Sequence, residues 1–259
     1  MPKSESRTDV LAGRNPVREA LERGDGRVEK VLLQKGAHGS AIDAIRRDAR
    51  AVGVPVQMVP QPKIDRLAPH ATHQGVVAIV APVAYRDLDD LLAEIAPTLD
   101  VVREVKPVLA VLDGVEDPHN FGAILRSAFA AGANGVVVPD RGMAPLSAVT
   151  LKASAGTALQ IPIARTGNLS EALHGLKERG YWVVGLEGGE GPGERTTVWD
   201  YDWDRPVALV VGNEGRGLRP GVASVCDVLA SIPMRGPAES LNASVAAGIA
   251  LFAAVRGRA

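Results

Sequence analysis

The chain has 259 residues, enough for one large domain or two small ones. Hydrophobic residues make up 46% and aromatics only 3%, so the core must be built from Ala, Val, Leu and Ile, and readers that stack bases on exposed aromatic platforms are disfavoured. A net charge of −1 argues against a nonspecific nucleic-acid coat protein, a single cysteine excludes an internal disulfide or cysteine-based zinc cluster, and five scattered histidines offer no metal-ligand spacing.

The start, MPKSESRTDV, is polar and lacks a signal-peptide core, and no run approaches the ~18 apolar residues of a membrane span, so a cytoplasmic protein is expected. Residues 1–81 hold 13 Lys+Arg against 9 Asp+Glu, whereas residues 82–259 hold 16 against 21. A basic front and an acidic rear suggest a division of labour, with the nucleic-acid grip in front. Chance asymmetry on a solvated surface is the alternative.

In chain order, Leu11-Ala12-Gly13-Arg14-Asn15-Pro16 leads into a helical pattern through Val17, Ala20 and Leu21, with Asn15 as N-cap and Pro16 at the first helical position. Val28 to Leu33 predicts a strand, and Ala41 to Val52 an amphipathic helix ending at Gly53. A second strand follows over 54–59, a short helix over 63–67, and a third, wholly apolar strand over 75–80. These elements make a small α/β domain. Residues 82–106 read as a connection with a helix near 87–92 and a break at Pro97. From Val108 strands and helices alternate, over 108–112, 121–131, 135–138, 148–153, 169–179, 182–186, 208–211 and 241–255. Such alternation predicts a mostly parallel sheet covered by helices. The run from Gly188 to Gly193 reads as a mobile loop.

Three segments of the rear half carry candidate chemistry. In the first, Asp117-Pro118 starts a helix whose apolar face is Phe121, Ile124, Leu125, Ala128 and Phe129, with Gly132 as its stop. Asn120 falls in the first turn and Arg126 projects away from the apolar face, at a strand-to-helix junction where α/β sheets commonly bind ligands. Capping and surface charge are their bland alternatives. In the second, a buried strand runs into Gly212-Asn213-Glu214-Gly215-Arg216-Gly217, where glycine lets backbone approach a ligand closely. The order is GxxGxG rather than the dinucleotide GxGxxG, and no Walker A lysine motif is present, so NAD and nucleoside triphosphates are unsupported. In the third, Ser231-Ile232-Pro233-Met234 precedes Ser240, which is expected to cap a final helix with a core stripe of Leu241, Val245, Ile249 and Phe252 and with Asn242 in its exposed first turn.

Together and in this order, EDPHNFGAILRSAFAAG, VVGNEGRGL and SIPMRGPAESLNASVAAGIALF resemble the three motifs of the SpoU (TrmH-type, SPOUT superfamily) RNA 2′-O-ribose methyltransferases. LAGRNPVREAL and HQGVVA resemble the ribosomal-protein-L30e-like substrate domain of several members. The likeness spans nearly the whole chain and is nearest the subgroup that methylates a guanosine ribose in 23S rRNA.

The resemblance implies an L30e-like RNA-binding α/β domain over 7–81, a linker over 82–106, and a SPOUT α/β catalytic domain over 107–258 with a C-terminal deep trefoil knot, working as a homodimer. General topology rules disfavour knots, so that feature comes from the family alone. It also implies S-adenosylmethionine as methyl donor without a metal, held by Gly212, Ile232 and Leu241 with Met234 nearby. Asn120, Arg126, Glu214 and Asn242 become the catalytic set. Arg126 is central in the family, sometimes as the base; a guanidinium is not normally deprotonated, so a phosphate clamp is the better physical role. Glu214 is expected to pair with an arginine, in the same chain or across a dimer. Arg14, Asn15 and Arg126 are expected to contact RNA. Competing readings are a tRNA enzyme, a resistance-type 23S rRNA enzyme, and a non-catalytic RNA-binding assembly factor.

Overall fold

The computed structural model describes residues 10–23, 27–69, 71–81, 85–188, 195–237 and 240–258. They fall into two compact units, one of residues 1–85 with 145–149 and one of residues 86–144 with 150–259. Among the described residues no helix is long and apolar enough to cross a membrane. No group of three or more potential metal ligands occurs among them either.

The first unit runs β1 (Val10–Ala12), α1 (Arg14–Arg23), β2 (Val28–Gln34), α2 (Ser40–Ala51), β3 (Val56–Val59), α3 (Gln61–Leu67) and β4 (Val76–Val80). Its sheet order is β1-β4-β2-β3, with only the β2–β3 pair parallel. Both central strands bury side chains on both faces, which explains their unbroken apolar sequence. Val31, Leu33, Val76, Ala78 and Val80 meet Val17 and Leu21 of α1 and Ile42 and Ile45 of α2. Leu32 and Val77, one residue out of phase, meet Ile64 of α3 on the opposite face. Two details depart from expectation. Residues 10–12 form an edge strand, and α1 begins at Arg14, so Asn15 lies inside the first turn rather than capping it. Gly13, at φ 106°, precedes that turn, and its carbonyl accepts from Val17 N at 3.3 Å.

The second unit begins where a connection was expected. It carries β5 (Arg86–Asp87), α4 (Leu88–Ile95) and α5 (Leu99–Val105), then β6 (Val108–Asp113), α6 (Pro118–Ala130), β7 (Gly135–Pro139) and, from Thr150 on, α7 (Ala148–Ala153). Next come β8 (Ile163–Thr166), α8 (Leu169–Glu178), β9 (Trp182–Leu186), β10 (Arg195–Thr197), β11 (Val207–Gly212), α9 (Pro220–Ala223), β12 (Val228–Ser231) and α10 (Ala243–Val255). Asp87 and Thr98 cap α4 and α5 through their side chains, and β5 joins the sheet beside β8. The loop expected over 188–193 lies, beyond Gly188, outside the described residues.

All eight strands are parallel, in the order β10-β12-β9-β11-β6-β7-β8-β5. From β6 the chain first builds outward through β7 and β8, then resumes on the other side with β9 and β11. That reversal between β6 and β11 is the place where open parallel sheets form ligand crevices, outside the carboxyl ends of the strands. One sheet face, with Leu109, Val111, Val183 and Val210, packs against Leu92, Leu173, Leu176 and Val222.

The final helix corrects the expected stripe. Its buried side is Ala243, Ala247, Ala250, Leu251 and Ala254, while Val245 and Phe252 are 49% and 52% exposed. The small residues on this side let α10 pack closely on α6, where a Cβ added at Gly248 would make an ordinary 3.4 Å contact with Ser127 Oγ, and the bulkier Val245 and Phe252 turn outward. On α6, Phe121, Ile124, Leu125 and Ala128 are buried as expected, but Phe129 is 40% exposed.

Candidate active site

A hollow of about 730 Å³ opens at the carboxyl ends of β9, β11 and β12, closed on one side by the start of α10. Gly212, Ile232, Met234 and Leu241 all line it, together with Glu214. At Gly212 a Cβ would sit 2.4 Å from the Gly217 carbonyl carbon and 2.6 Å from Leu218 N. Any side chain there would push the loop off the strand end. The loop closes through paired hydrogen bonds between the Asn213 and Gly217 backbones, at 3.0 and 2.9 Å, with Gly217 at φ 66°. Asn213 Oδ1 accepts from Gly215 N at 2.9 Å and its Nδ2 donates to Gly114 O at 2.8 Å, tying the loop to the end of β6.

The three sequence segments meet at the rim of this hollow. Asn242, not Ser240, is the N-cap of α10: its Oδ1 accepts from Ser244 N, Val245 N and Ser244 Oγ. With that oxygen committed to the helix end, only its amide nitrogen remains to donate, and Nδ2 reaches Asn120 Oδ1 at 3.0 Å. Asn120 must then donate through its own Nδ2, which meets Glu214 Oε1 at 2.6 Å. The cap thereby sets the polarity of the whole chain and delivers a donor to an acceptor-only carboxylate. Glu214 is exposed at the hollow's edge, and within one chain its partner is this amide, with no arginine of the described residues paired to it. Arg216, two residues on, instead approaches Glu116 at 3.5 Å.

Arg126 stands apart from this set. It is exposed on α6, six residues past Asn120, about 9 Å along the axis at 1.5 Å per residue. It takes no partner among the described residues. Phe129 lies one turn further on the same side of the helix. In the first unit, Arg14 is half-buried and its Nε donates to Gln74 O at 3.4 Å, whereas Asn15 is exposed.

Sequence reasoning passed over Asp113 and Arg219. Asp113 ends β6 with its side chain fully buried, and it accepts from Arg219 Nε at 2.5 Å and Arg219 N at 2.8 Å. This pair staples the far end of the 213–219 loop to β6. The available signal was a carboxylate closing an otherwise apolar strand. Cys226, the only thiol, is pushed up to about 12 by burial and then by Asp227, so it is no nucleophile at neutral pH.

Comparison with known proteins agrees with this geometry. Residues 107–252 match the model of the SpoU rRNA Methylase family. Residues 10–86 match that for RNA 2′-O ribose methyltransferase substrate binding. The chain belongs to the SpoU rRNA methylase family. It is therefore an RNA methyltransferase. A Staphylococcus haemolyticus relative named as a TrmH family tRNA/rRNA methyltransferase is 39% identical over 96% of each chain. A Mycobacterium ulcerans tRNA/rRNA methyltransferase is 41% identical over 97% of this chain and 78% of its own. Among solved structures, the AdoMet-bound rRNA methyltransferase of Sinorhizobium meliloti aligns with a TM-score of 0.59 at 27% identity, over 96% of this chain and 87% of that one. The SpoU methyltransferase AviRb of Streptomyces viridochromogenes, in complex with AdoMet, aligns at 0.58, also with 27% identity, over 96% and 90%.

Proposed function

We propose that this SpoU-family chain transfers a methyl group from S-adenosylmethionine to a ribose 2′-hydroxyl of RNA, a guanosine of 23S rRNA, as a cytoplasmic homodimer. The observation that carries the reading is the Asn242–Asn120–Glu214 chain at the mouth of a hollow floored by Gly212. Three separated sequence segments contribute to it, and a scaffold alone has no need of such convergence. A non-catalytic assembly factor would not require it either.

The hollow suits the donor. Gly212 leaves backbone bare where an adenosine must come close, and half-buried Ile232 and Leu241 offer apolar walls for a purine ring, with Met234 at the mouth. When bound, S-adenosylmethionine supplies an electrophilic methyl on sulfur, so the protein's task is placement and proton removal. Glu214, held by Asn120, presents its second oxygen to the ribose. Arg126 remains protonated and clamps a neighbouring phosphate, lowering the hydroxyl pKa electrostatically. Val245 and Phe252, seven residues apart on α10 and about half exposed, and the 40% exposed Phe129 of α6 support a second copy as their cover. A knotted C-terminal segment belongs to this reading through the family resemblance and not through the strand order. Of the first unit's residues, we assign RNA contact to Arg14 and Asn15.

The test is transfer of labelled methyl to 23S rRNA and to tRNA separately, by wild type and Arg126→Ala. We expect label on a guanosine ribose of 23S rRNA, reduced about 10²–10³-fold in the variant. Label in tRNA alone would move the substrate to the other RNA that the relatives' names carry. No label in either, with donor binding intact, would overturn the assignment of these RNAs as free substrates.

A further inference from the structure

A second hollow, of about 390 Å³, opens on the same carboxyl edge of the sheet, beyond the 213–219 loop. Pro139 and Arg141 follow β7 into it, Gly167 and Asn168 lie between β8 and α8, and Arg219 and Gly221 close the side towards the first hollow. Arg141 is exposed, and its guanidinium takes no partner among the described residues. Arg219 spends Nε on Asp113, which leaves both Nη groups of a side chain that is 56% exposed. Asp140, whose carboxylate lies beside Gly167, pairs with Arg165 at 3.9 Å. Asn168 already caps the α8 amides, so cationic attraction in this hollow comes from the two guanidinium groups.

One loop walls both hollows: Glu214, Gly215 and Gly217 face the first, Arg219 the second. β8 stands three strands from β11, roughly 14 Å at ~4.8 Å per strand, a span of a few nucleotides. An RNA strand whose target ribose sits at the first hollow thus carries its flanking phosphates along this rim. The planar fork of an arginine matches phosphate oxygens bidentately.

We propose that Arg141 and Arg219 form a subsite for a backbone phosphate flanking the modified nucleotide. The inference rests on the RNA methyl-transfer reading. It is tested on the full chain by titrating 23S rRNA and tRNA transcripts across a salt series, with S-adenosylmethionine binding measured in parallel. Arg219 is left intact, because its removal would orphan buried Asp113. Arg141→Ala is expected to raise the RNA Kd roughly tenfold at low salt. The slope of log K against log salt should shrink by about 0.7–0.9, one phosphate contact, with donor affinity unchanged. Arg141→Lys should keep the slope and recover part of the affinity. Wild-type slope and affinity in Arg141→Ala would overturn the subsite. Loss of inorganic phosphate binding in Arg141→Ala with RNA affinity and slope intact would make it a free-anion site and overturn the RNA assignment. If wild type binds RNA yet transfers no methyl, the parent reading fails while the salt slope still decides the subsite. If wild type binds no RNA, both fall.

Discussion

At the carboxyl edge of the eight-stranded sheet, strands run out into Gly212, Asn213 and Asp113, and the space beyond them is hollow. At the amino edge, β9 starts from Trp182, whose ring lies 4.6 Å beneath the Arg205 guanidinium, and Trp203 and Pro206 before β11 are buried. Tyr201 and Trp203 meet edge to face at 4.7 Å, and Trp203 Nε1 donates to Val198 O at 2.9 Å. Arg258 staples this end, donating to the carbonyls of Lys106, Trp203 and Arg205. All three tryptophans of the chain fall within residues 182–203. Buried Trp203 and the Trp182–Arg205 contact therefore anchor one edge of the sheet, while the other is left open for chemistry. Substitutions at the two edges should separate function from stability.

The largest expected effect is at Gly212, the position where the two roles coincide. Gly212→Ala should weaken S-adenosylmethionine binding at least 100-fold by calorimetry, because its Cβ displaces the loop that walls the donor hollow. The clash should also cost about 1–3 kcal/mol of stability. Unchanged donor affinity would separate the loop from the binding site. Next comes Trp203→Ala at the amino edge. Removing this 8% exposed ring should cost about 3–5 kcal/mol, lowering Tm by roughly 10 °C, while kcat measured well below the transition stays at the wild-type value. A fall in kcat with little change in Tm would erase the distinction between the edges.

A smaller effect should appear at alkaline pH. Burial pushes the hydroxyls of Tyr181 and Tyr201 up to about 12, against the pull of Arg179 and Arg205 respectively. Between about pH 10 and 12 the unfolded chain loses phenolic protons that the folded chain keeps, so stability falls as pH rises through that window. Denaturant midpoints should decline from about pH 9 upward, and phenolate absorbance should lag behind that of the unfolded protein. Coincident titration of folded and unfolded protein would contradict it.

The carboxyl edge was also the more legible of the two in the sequence. Glycines after an apolar strand, and amides at helix starts, are local signals, and α6 turned inward along the face its period predicts. The Asn120–Glu214 bond was not readable, since it joins residues 94 apart and depends on the cap at Asn242 for its direction. α10 misled for a different reason. It is apolar nearly all round, so periodicity does not choose a face, and Val245 and Phe252 were assigned inward where the packed side is mostly alanine with Leu251. Strands β8, β10 and β12, of three or four residues each, are too short to stand out from loop sequence. The amino-edge cluster escaped notice because a 3% aromatic content hides how locally those residues are gathered.

A crystal structure of the chain with S-adenosylhomocysteine, the demethylated donor, tests the central assignment most directly. The adenosine is expected against Gly212, Ile232 and Leu241, with the sulfur facing the Asn120–Glu214 rim. Ligand in the Arg141–Arg219 hollow, or at the aromatic edge, would contradict it.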